Sequence, residues 1–446
     1  MSQDDVQPVG AYVRHLQEMQ RRVEAALQRG GFDALLISSG IERRGFLDDK
    51  PYPFQVNPHF KAWVPLTDHP YSWLVIRPQE RLRVVVYQPN DYWHIPPAEP
   101  AGAWTAAVDL AIVHSLDDVP GCIRVPGRLA IIGEAGPSAL AGRAPNNPPE
   151  VVNALHYARG RKTEYELQQM RSATRRAVPA HRAAREAFDA GASESEIHQA
   201  YLATCGHSDL DLPYSNIVAL NGHAAILHYQ QRRKSFGPAS QRSLLIDAGA
   251  EFCGYGCDIT RTWSDGDVYF DALVTGLTHA QLSLVDEVRP GADFVEIHLD
   301  AHREVATLLH DLGLVQGLSV EAMVSEGISS VFFPHGVGHL LGLQVHDVGG
   351  HMADDKDGVR MPPHDHPHLR LTRRMEPDMV VTIEPGIYFI PQLLEQLRAR
   401  PLASAIDWGM VEHLSRFGGV RIEDNVVCRS FGPPENLTRE AFGQWS

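Results

Sequence analysis

The segment Gly191-Ala192-Ser193-Glu194-Ser195-Glu196-Ile197 returns one hundred residues later as Gly291-Ala292-Asp293-Phe294-Val295-Glu296-Ile297. In each copy a glycine is placed to stop one helix, and Ser or Asp with Glu three residues on is placed to cap the next. Apolar runs that read as strands follow the first copy around 215–220 and 243–263. They follow the second near 330–346, 379–390 and 419–429. The same elements in the same order twice over imply a duplicated α-α-β unit. In such a two-fold duplicate the equivalent hairpins face one another, and a site between them takes one pair of groups from each half.

Both halves carry acids suited to that position. Leu244-Leu245-Ile246-Asp247 and Asp258-Ile259-Thr260 flank a glycine-rich turn near 253–256, so Asp247 and Asp258 are expected on one face of a hairpin. Val380-Val381-Thr382-Ile383-Glu384 and Val420-Arg421-Ile422-Glu423 each close an apolar strand with Glu. Alternation puts Thr382 with Glu384, and Arg421 with Glu423, on shared faces. Buried lone carboxylates are costly unless they are paired or bind metal.

A histidine line completes the set. Pro334-His335-Gly336-Val337-Gly338-His339 runs on to Gly342 and His346-Asp347. A helical zinc motif needs His-Glu at its start, whereas Gly336 follows His335, and glycine costs a helix roughly 1 kcal/mol per residue. The expectation is an extended, glycine-punctuated turn whose backbone approaches a ligand closely. Asp247, Asp258, His339, Glu384 and Glu423 then match two divalent cations about 3.5–4 Å apart. Oxygen-rich ligation with one imidazole favours manganese, with cobalt or iron next and zinc behind.

The amino-terminal stretch alternates a helix over 9–30 with strands at 32–38, 73–76, 82–87 and 129–132, which is an α/β layer pattern. Between the first strands, Phe46 to Trp63 mixes Pro, aromatic and charged residues in a loop suited either to packing or to contact. The Pro-, Gly- and Asn-rich run Pro137 to Pro149 marks a boundary, and Thr163 with Glu166 opens a new helix as a capping box. This gives an amino-terminal α/β domain over 1–160 and an α+β domain over 161–446. The formal charge of -15 excludes nucleic acid and anionic membrane as natural partners. Acidic Met1 to Asp5 does not read as a signal peptide, and no run is long enough for a membrane helix. Five cysteines without zinc-site spacing (Cys253 and Cys257 have no second pair) fit reduced thiols and a cytoplasmic protein.

The order Asp, Asp, His, Glu, Glu resembles the dinuclear ligand set of the pita-bread metallopeptidases, which include methionine aminopeptidase, aminopeptidase P, prolidase and creatinase. The line His335 to Asp347 looks like the signature of the proline-peptidase branch. Phe46 to Trp63, Leu212 to Asn216, Leu227-His228-Tyr229, His366 to Arg373 and the segment Pro391 to Gly418 are similar to the bacterial Xaa-Pro dipeptidases, also called prolidase or organophosphorus acid anhydrolase. The resemblance implies a two-metal peptidase acting on Xaa-Pro dipeptides, with a side activity on organophosphorus esters. It implies that Asp247 binds one metal, His339 and Glu384 the other, and that Asp258 and Glu423 bridge them. Glu384 would act as base, and His346 and His228 would hydrogen-bond the substrate or its oxyanion. His335 and Tyr214 would line the pocket, Arg370 would anchor the free carboxylate, and Arg421 would support the pocket or a ligand carboxylate. It further implies a homodimer whose amino-terminal domain, near Asp48 to Trp63, reaches over the partner's site. The alternatives are an aminopeptidase P acting on longer peptides, or a metal-free pita-bread module used for binding; creatinase, which lacks the ligands, does not fit.

Overall fold

The structure, a computed structural model, describes residues 9–134, 144–235, 242–356 and 358–443 of the 446. The acidic start Met1 to Asp5, and residues 137–143 of the boundary run, lie outside the described residues. The chain forms two compact units. One comprises 1–169 with 354–358, and the other 170–353 with 359–446. The division falls inside the helix Glu164–Asp189, several residues beyond the boundary read from the Pro-rich run.

The first unit is a five-stranded sheet with helices. Its strands are β1 (Ala34–Ser38), β2 (Trp73–Ile76), β3 (Arg83–Tyr87), β4 (Asp109–Val113) and β5 (Leu129–Ile132), in the order β4-β3-β2-β1-β5. β1 runs parallel to β5 and antiparallel to β2. Edge strand β4 escaped the sequence reading because Val113 is its only fully buried residue, which leaves little alternation to see. The helix Val9–Gly30 buries Tyr12, Met19, Val23 and Leu27 on one side. In the loop after β1, Phe60 and Trp63 are buried while Phe46, Leu47 and Tyr52 are exposed. Asn57 caps the short helix Pro58–Lys61 within it.

The second unit holds the duplication. Helix pair Glu164–Asp189 and Glu194–Cys205 leads into β6 (Ile217–Leu220), β7 (Ser243–Asp247), β8 (Glu251–Phe252), β9 (Tyr255–Gly256) and β10 (Thr260–Ser264). Helix pair Val268–Asp286 and Phe294–Asp311 leads into β11 (Val380–Ile383), β12 (Gly386–Tyr388), β13 (Gly419–Arg421), β14 (Asp424–Val427) and β15 (Glu435–Asn436). The first copy forms a complete capping box between Ser193 and Glu196. In the second, Asp293 caps Val295 N–H, and its carboxylate also receives Arg360. The stretch 330–346 is a correction. It holds no strand, only the short helix Ile328–Phe332 and an isolated bridge between Leu340 and Val381. Its backbone still meets β11, with Thr382 N–H donating to the His339 carbonyl and Leu341 N–H to the Val380 carbonyl, both at 3.0 Å. A continuous core under β11–β14, including Phe270, Phe294, Phe333, Ile383, Ile387, Phe417 and Ile422, anchors this half. Burying each such side chain contributes about 1.5–3 kcal/mol.

Candidate metal centre

The four acids sit where strands stop. Asp247 ends β7 and faces Thr260 of β10. The ladder continues past them, with Ala248 N–H donating to the Ile259 carbonyl at 3.0 Å. Between Asp247 and Asp258 the miniature hairpin β8–β9 turns at Cys253 and Gly254, whose φ values of 50° and 87° suit a two-residue hairpin turn. Cys253 and Cys257 are unbridged thiols, and buried Cys257 accepts from Ala250 N–H at 3.3 Å. Glu384 lies in the break between β11 and β12, and Glu423 in the break between β13 and β14. The two halves meet at Glu423, whose N–H donates to the Thr260 carbonyl at 3.1 Å. In return the Thr260 hydroxyl donates to Glu423 Oε2 at 2.6 Å.

The histidine line docks along β11. Thr382 N–H donates to the His339 carbonyl at 3.0 Å and Glu384 N–H to the Val337 carbonyl at 2.8 Å. His339 N–H donates to Thr382 Oγ1 at 3.1 Å. A Cβ on Gly338 would overlap the Thr382 carbonyl, and one on Gly336 would press on His368 and Leu369 backbone. The glycines thus allow close approach of strand and loop, where the sequence suggested close approach of a ligand.

These contacts orient the imidazole. His339 Nδ1 lies 2.9 Å from the Leu340 carbonyl, so it carries the proton. Nε2 faces the acids, 3.5 Å from Asp258 Oδ2 and 3.5 Å from Glu384 Oε1. Burial works against a charge on the ring, but these carboxylates hold its pKa above the ordinary imidazole value. Ligand atoms of Asp258, His339 and Glu423 all fall within 4.8 Å of one another. Asp258 Oδ1 is buried and makes no hydrogen bond. Asp247 is held from two sides, by Tyr214 O–H at 2.7 Å and by Arg421 Nη2 at 2.7 Å.

Electrostatics show a site with too much negative charge for its depth. Burial, aided by the neighbouring acids, pushes Asp247 up to about 6 and Glu384 to about 7. The same causes hold Glu423 well above the carboxylate range. Burial also acts on Asp258, but its hydrogen bond and charge contact with His339 bring it below its ordinary value. Four buried carboxylates, an orphaned oxygen and a presented imidazole nitrogen fit a pair of divalent cations, which would relieve this repulsion.

The centre opens into a cavity of about 890 Å³ that Tyr214, His228, His335, His346, Arg370 and Arg421 also line. His346 stacks edge-on to His339, with ring centroids 4.4 Å apart. Burial, with His339 and Arg370 nearby, pushes His346 down to about 4, so it is neutral at pH 7. His228 and Arg370 are exposed on the rim. His335 Nε2 is 2.8 Å from Tyr388 O–H. Arg421 is buried and reaches Asp247, Tyr388 and Thr260 at 2.7, 2.8 and 3.1 Å. Its guanidinium thus braces the centre from the cavity wall.

Two sequence models match the chain. One, for the Xaa-Pro dipeptidase N-terminal domain, covers residues 10–157, and the other, for metallopeptidase family M24, covers 168–430. This chain belongs to metallopeptidase family M24, among the Xaa-Pro dipeptidases. It is 49% identical over 433 residues to an Xaa-Pro dipeptidase of Xanthomonas campestris pv. campestris, with 97% of each chain covered. It is 46% identical over 437 residues to that of Stenotrophomonas maltophilia, with 98% of each covered. Among solved structures, zinc-substituted Escherichia coli aminopeptidase P in complex with product aligns with a TM-score of 0.70 at 24% identity, covering 95% of both chains. Proline aminopeptidase P II from Yersinia pestis gives 0.69 at 25%, covering 95% of this chain and 96% of that one. These likenesses establish the pita-bread fold for the M24 domain.

Sequence reading missed several residues that hold this centre. Tyr388 and Thr260 link Arg421 to His335 and Glu423, and only their position beside apolar strands hinted at it. Glu194, which has no assigned role in the sequence reading, is fully buried. It accepts from Leu220 N–H, Arg233 N–H and Tyr229 O–H at 2.8–2.9 Å, which fastens both ends of the loop that carries His228.

Proposed function

We propose that this protein hydrolyses the Xaa-Pro bond of dipeptides with a free carboxyl-terminal proline. The observation that carries the reading is the gathering of Asp247, Asp258, His339, Glu384 and Glu423 at one cavity, in a chain 49% identical throughout to an Xaa-Pro dipeptidase. Those five residues would hold two divalent cations. The chemistry such a pair supplies when bound is Lewis acidity toward water and carbonyl oxygen. Oxygen-dominated ligation makes manganese our choice of ion, with cobalt or iron as substitutes.

Glu384 takes a proton from the attacking water at a carboxylate oxygen and returns it to the proline nitrogen as the bond breaks. Neutral His346, with His228, donates to the oxygen on which negative charge develops. Arg370 on the rim receives the substrate carboxylate in a two-pronged hydrogen bond. Asp247 stays in place through Tyr214 and Arg421, and His335 through Tyr388. The Xaa-Pro amide lacks an N–H, so peptidases that grip that donor handle it poorly. A site that instead grips the free carboxylate selects this substrate.

The protein is further proposed to be a cytoplasmic homodimer. Among the described residues, no helix is long and apolar enough to cross a membrane. Light scattering at micromolar concentration checks the dimer. For the activity, metal-free protein is titrated with manganese and assayed on Ala-Pro and Ala-Pro-Ala. Manganese-dependent cleavage of the dipeptide is expected. Fast tripeptide cleavage with a poor dipeptide rate would assign aminopeptidase P activity instead, and no hydrolysis of either at any metal loading would leave a binding module.

A further inference from the structure

A second group of imidazoles lies outside the carboxylate centre. The helix Phe294–Asp311 carries His298 and His302 four residues apart, hence on one face. Each is only 1% exposed. His366, in the half-exposed segment after Pro363, meets both. The ring centroids are 4.7 Å apart for His298–His302, 4.7 Å for His298–His366 and 4.4 Å for His302–His366. One ring nitrogen from each of the three falls within 4.8 Å of the others.

Packing alone does not account for this group. His298 Nδ1 and His302 Nε2 are buried polar atoms without a hydrogen-bond partner, a state native interiors rarely tolerate. His302 Nδ1 is engaged at 3.0 Å with Ser329 Oγ, which leaves Nε2 as its free atom. A partner outside the ligand set of this kind orients the ring of a metal-binding histidine. Burial pushes His298 down to about 2 and His302 to about 3, so both rings are uncharged at neutral pH with a lone pair available. Buried Phe333 packs against both rings, its centroid 5.9 Å from His298 and 4.9 Å from His302, and supplies a dry wall.

We propose that His298, His302 and His366 form a third metal site that takes one zinc ion. Three imidazoles and no carboxylate suit zinc and exclude the harder manganese expected at the oxygen-rich centre. Zinc–nitrogen bonds of about 2.0–2.1 Å need the nitrogens to close to roughly 3.4 Å, which takes rotation of the His298 and His302 rings toward each other and an inward move of the half-exposed His366. Solvent reaches the site on its His366 side and supplies the fourth ligand. The ion's effect follows from the next residues in the chain. Pro367, His368, Leu369 and Arg370 line the substrate cavity, so zinc on His366 pins that wall to the helix Phe294–Asp311. The site stands on its own residues and does not depend on the peptidase reading.

The test counts zinc in the full-length protein, stripped and reloaded with excess zinc and then desalted, by inductively coupled plasma mass spectrometry. Wild type is expected to hold three zinc ions per chain and His366→Ala two, with an unchanged circular dichroism spectrum. His366→Cys, which restores a zinc ligand, is expected to return to three. Equal zinc in wild type and His366→Ala overturns the proposal, as does a His366→Cys chain that stays at the alanine value. Were the carboxylate centre unable to bind metal, the totals would fall to one and zero while their difference stayed at one, so the two ideas fail separately.

Discussion

Arg421 is the residue on which the centre's geometry turns, because one guanidinium ties Asp247 to Tyr388 and Thr260. Arg421→Met leaves Asp247 buried with one fewer partner, and such a broken buried pair costs about 3–5 kcal/mol. Urea unfolding of the metal-free protein should show that loss, and a midpoint within error of wild type would show that Arg421 does not brace Asp247. Glu384 acts in the proton transfers, so Glu384→Gln should lower kcat for Ala-Pro by about 10²–10⁴-fold. Metal content measured alongside separates lost chemistry from lost ligation, and a wild-type rate at full loading would remove Glu384 from the mechanism. Both residues stood out in the sequence as charged groups inside apolar runs. What Arg421 holds did not, because Asp247 lies 174 positions away.

At the scale of elements, the histidine line and strand β11 depend on close backbone contact. Gly338→Ala sets a methyl group against the Thr382 carbonyl. Overpacking of this kind costs about 1–3 kcal/mol, and more where backbone has to move. Activity should fall with it, since His339 and Glu384 both hang on that pairing; a variant with unchanged denaturation and activity would show that the line can shift freely. The helix pair of the second half offers a pH test away from the centre. Glu287 caps the end of the helix Val268–Asp286, where a negative charge also opposes the helix dipole. Burial and the charges of Asp300 and Glu304 raise it from 4.5 to about 7. The folded protein therefore holds this proton more tightly than the unfolded chain does. The resulting stabilisation is complete below about pH 4.5 and is lost as pH rises through about 7. Glu287→Gln should flatten that decline, and stability curves that run parallel to wild type from pH 4.5 to 7.5 would reject the assignment. The capping boxes at Ser193 and Thr163 were legible because a cap is local, joining residues three apart. The supposed strand over 330–346 misread a segment whose path is set by what it packs on.

For the whole molecule, the two units predict a divided response to metal removal. A bound ion stabilises only the unit that holds it, by about 2.7 kcal/mol when free ion is a hundredfold above Kd. A chelator should lower the unfolding temperature and amide-exchange protection of residues 170–353 and 359–443, while β1–β5 of the first unit keep theirs. Uniform protection with and without chelator would mean that no ion is held among the four acids. Much of this was written in local pattern. Repeated caps, apolar runs closed by Asp or Glu, and glycines around the histidines are short-range signals, and they disclosed the duplication and the five ligand candidates. Long-range pairing was not written there. That Thr260 joins Glu423 across the halves, that Glu194 secures the His228 loop, and that His366 meets His298 and His302 follows from how distant segments pack. Spacing along a chain records which side chains share a strand or helix face, but only the folded core decides which faces touch.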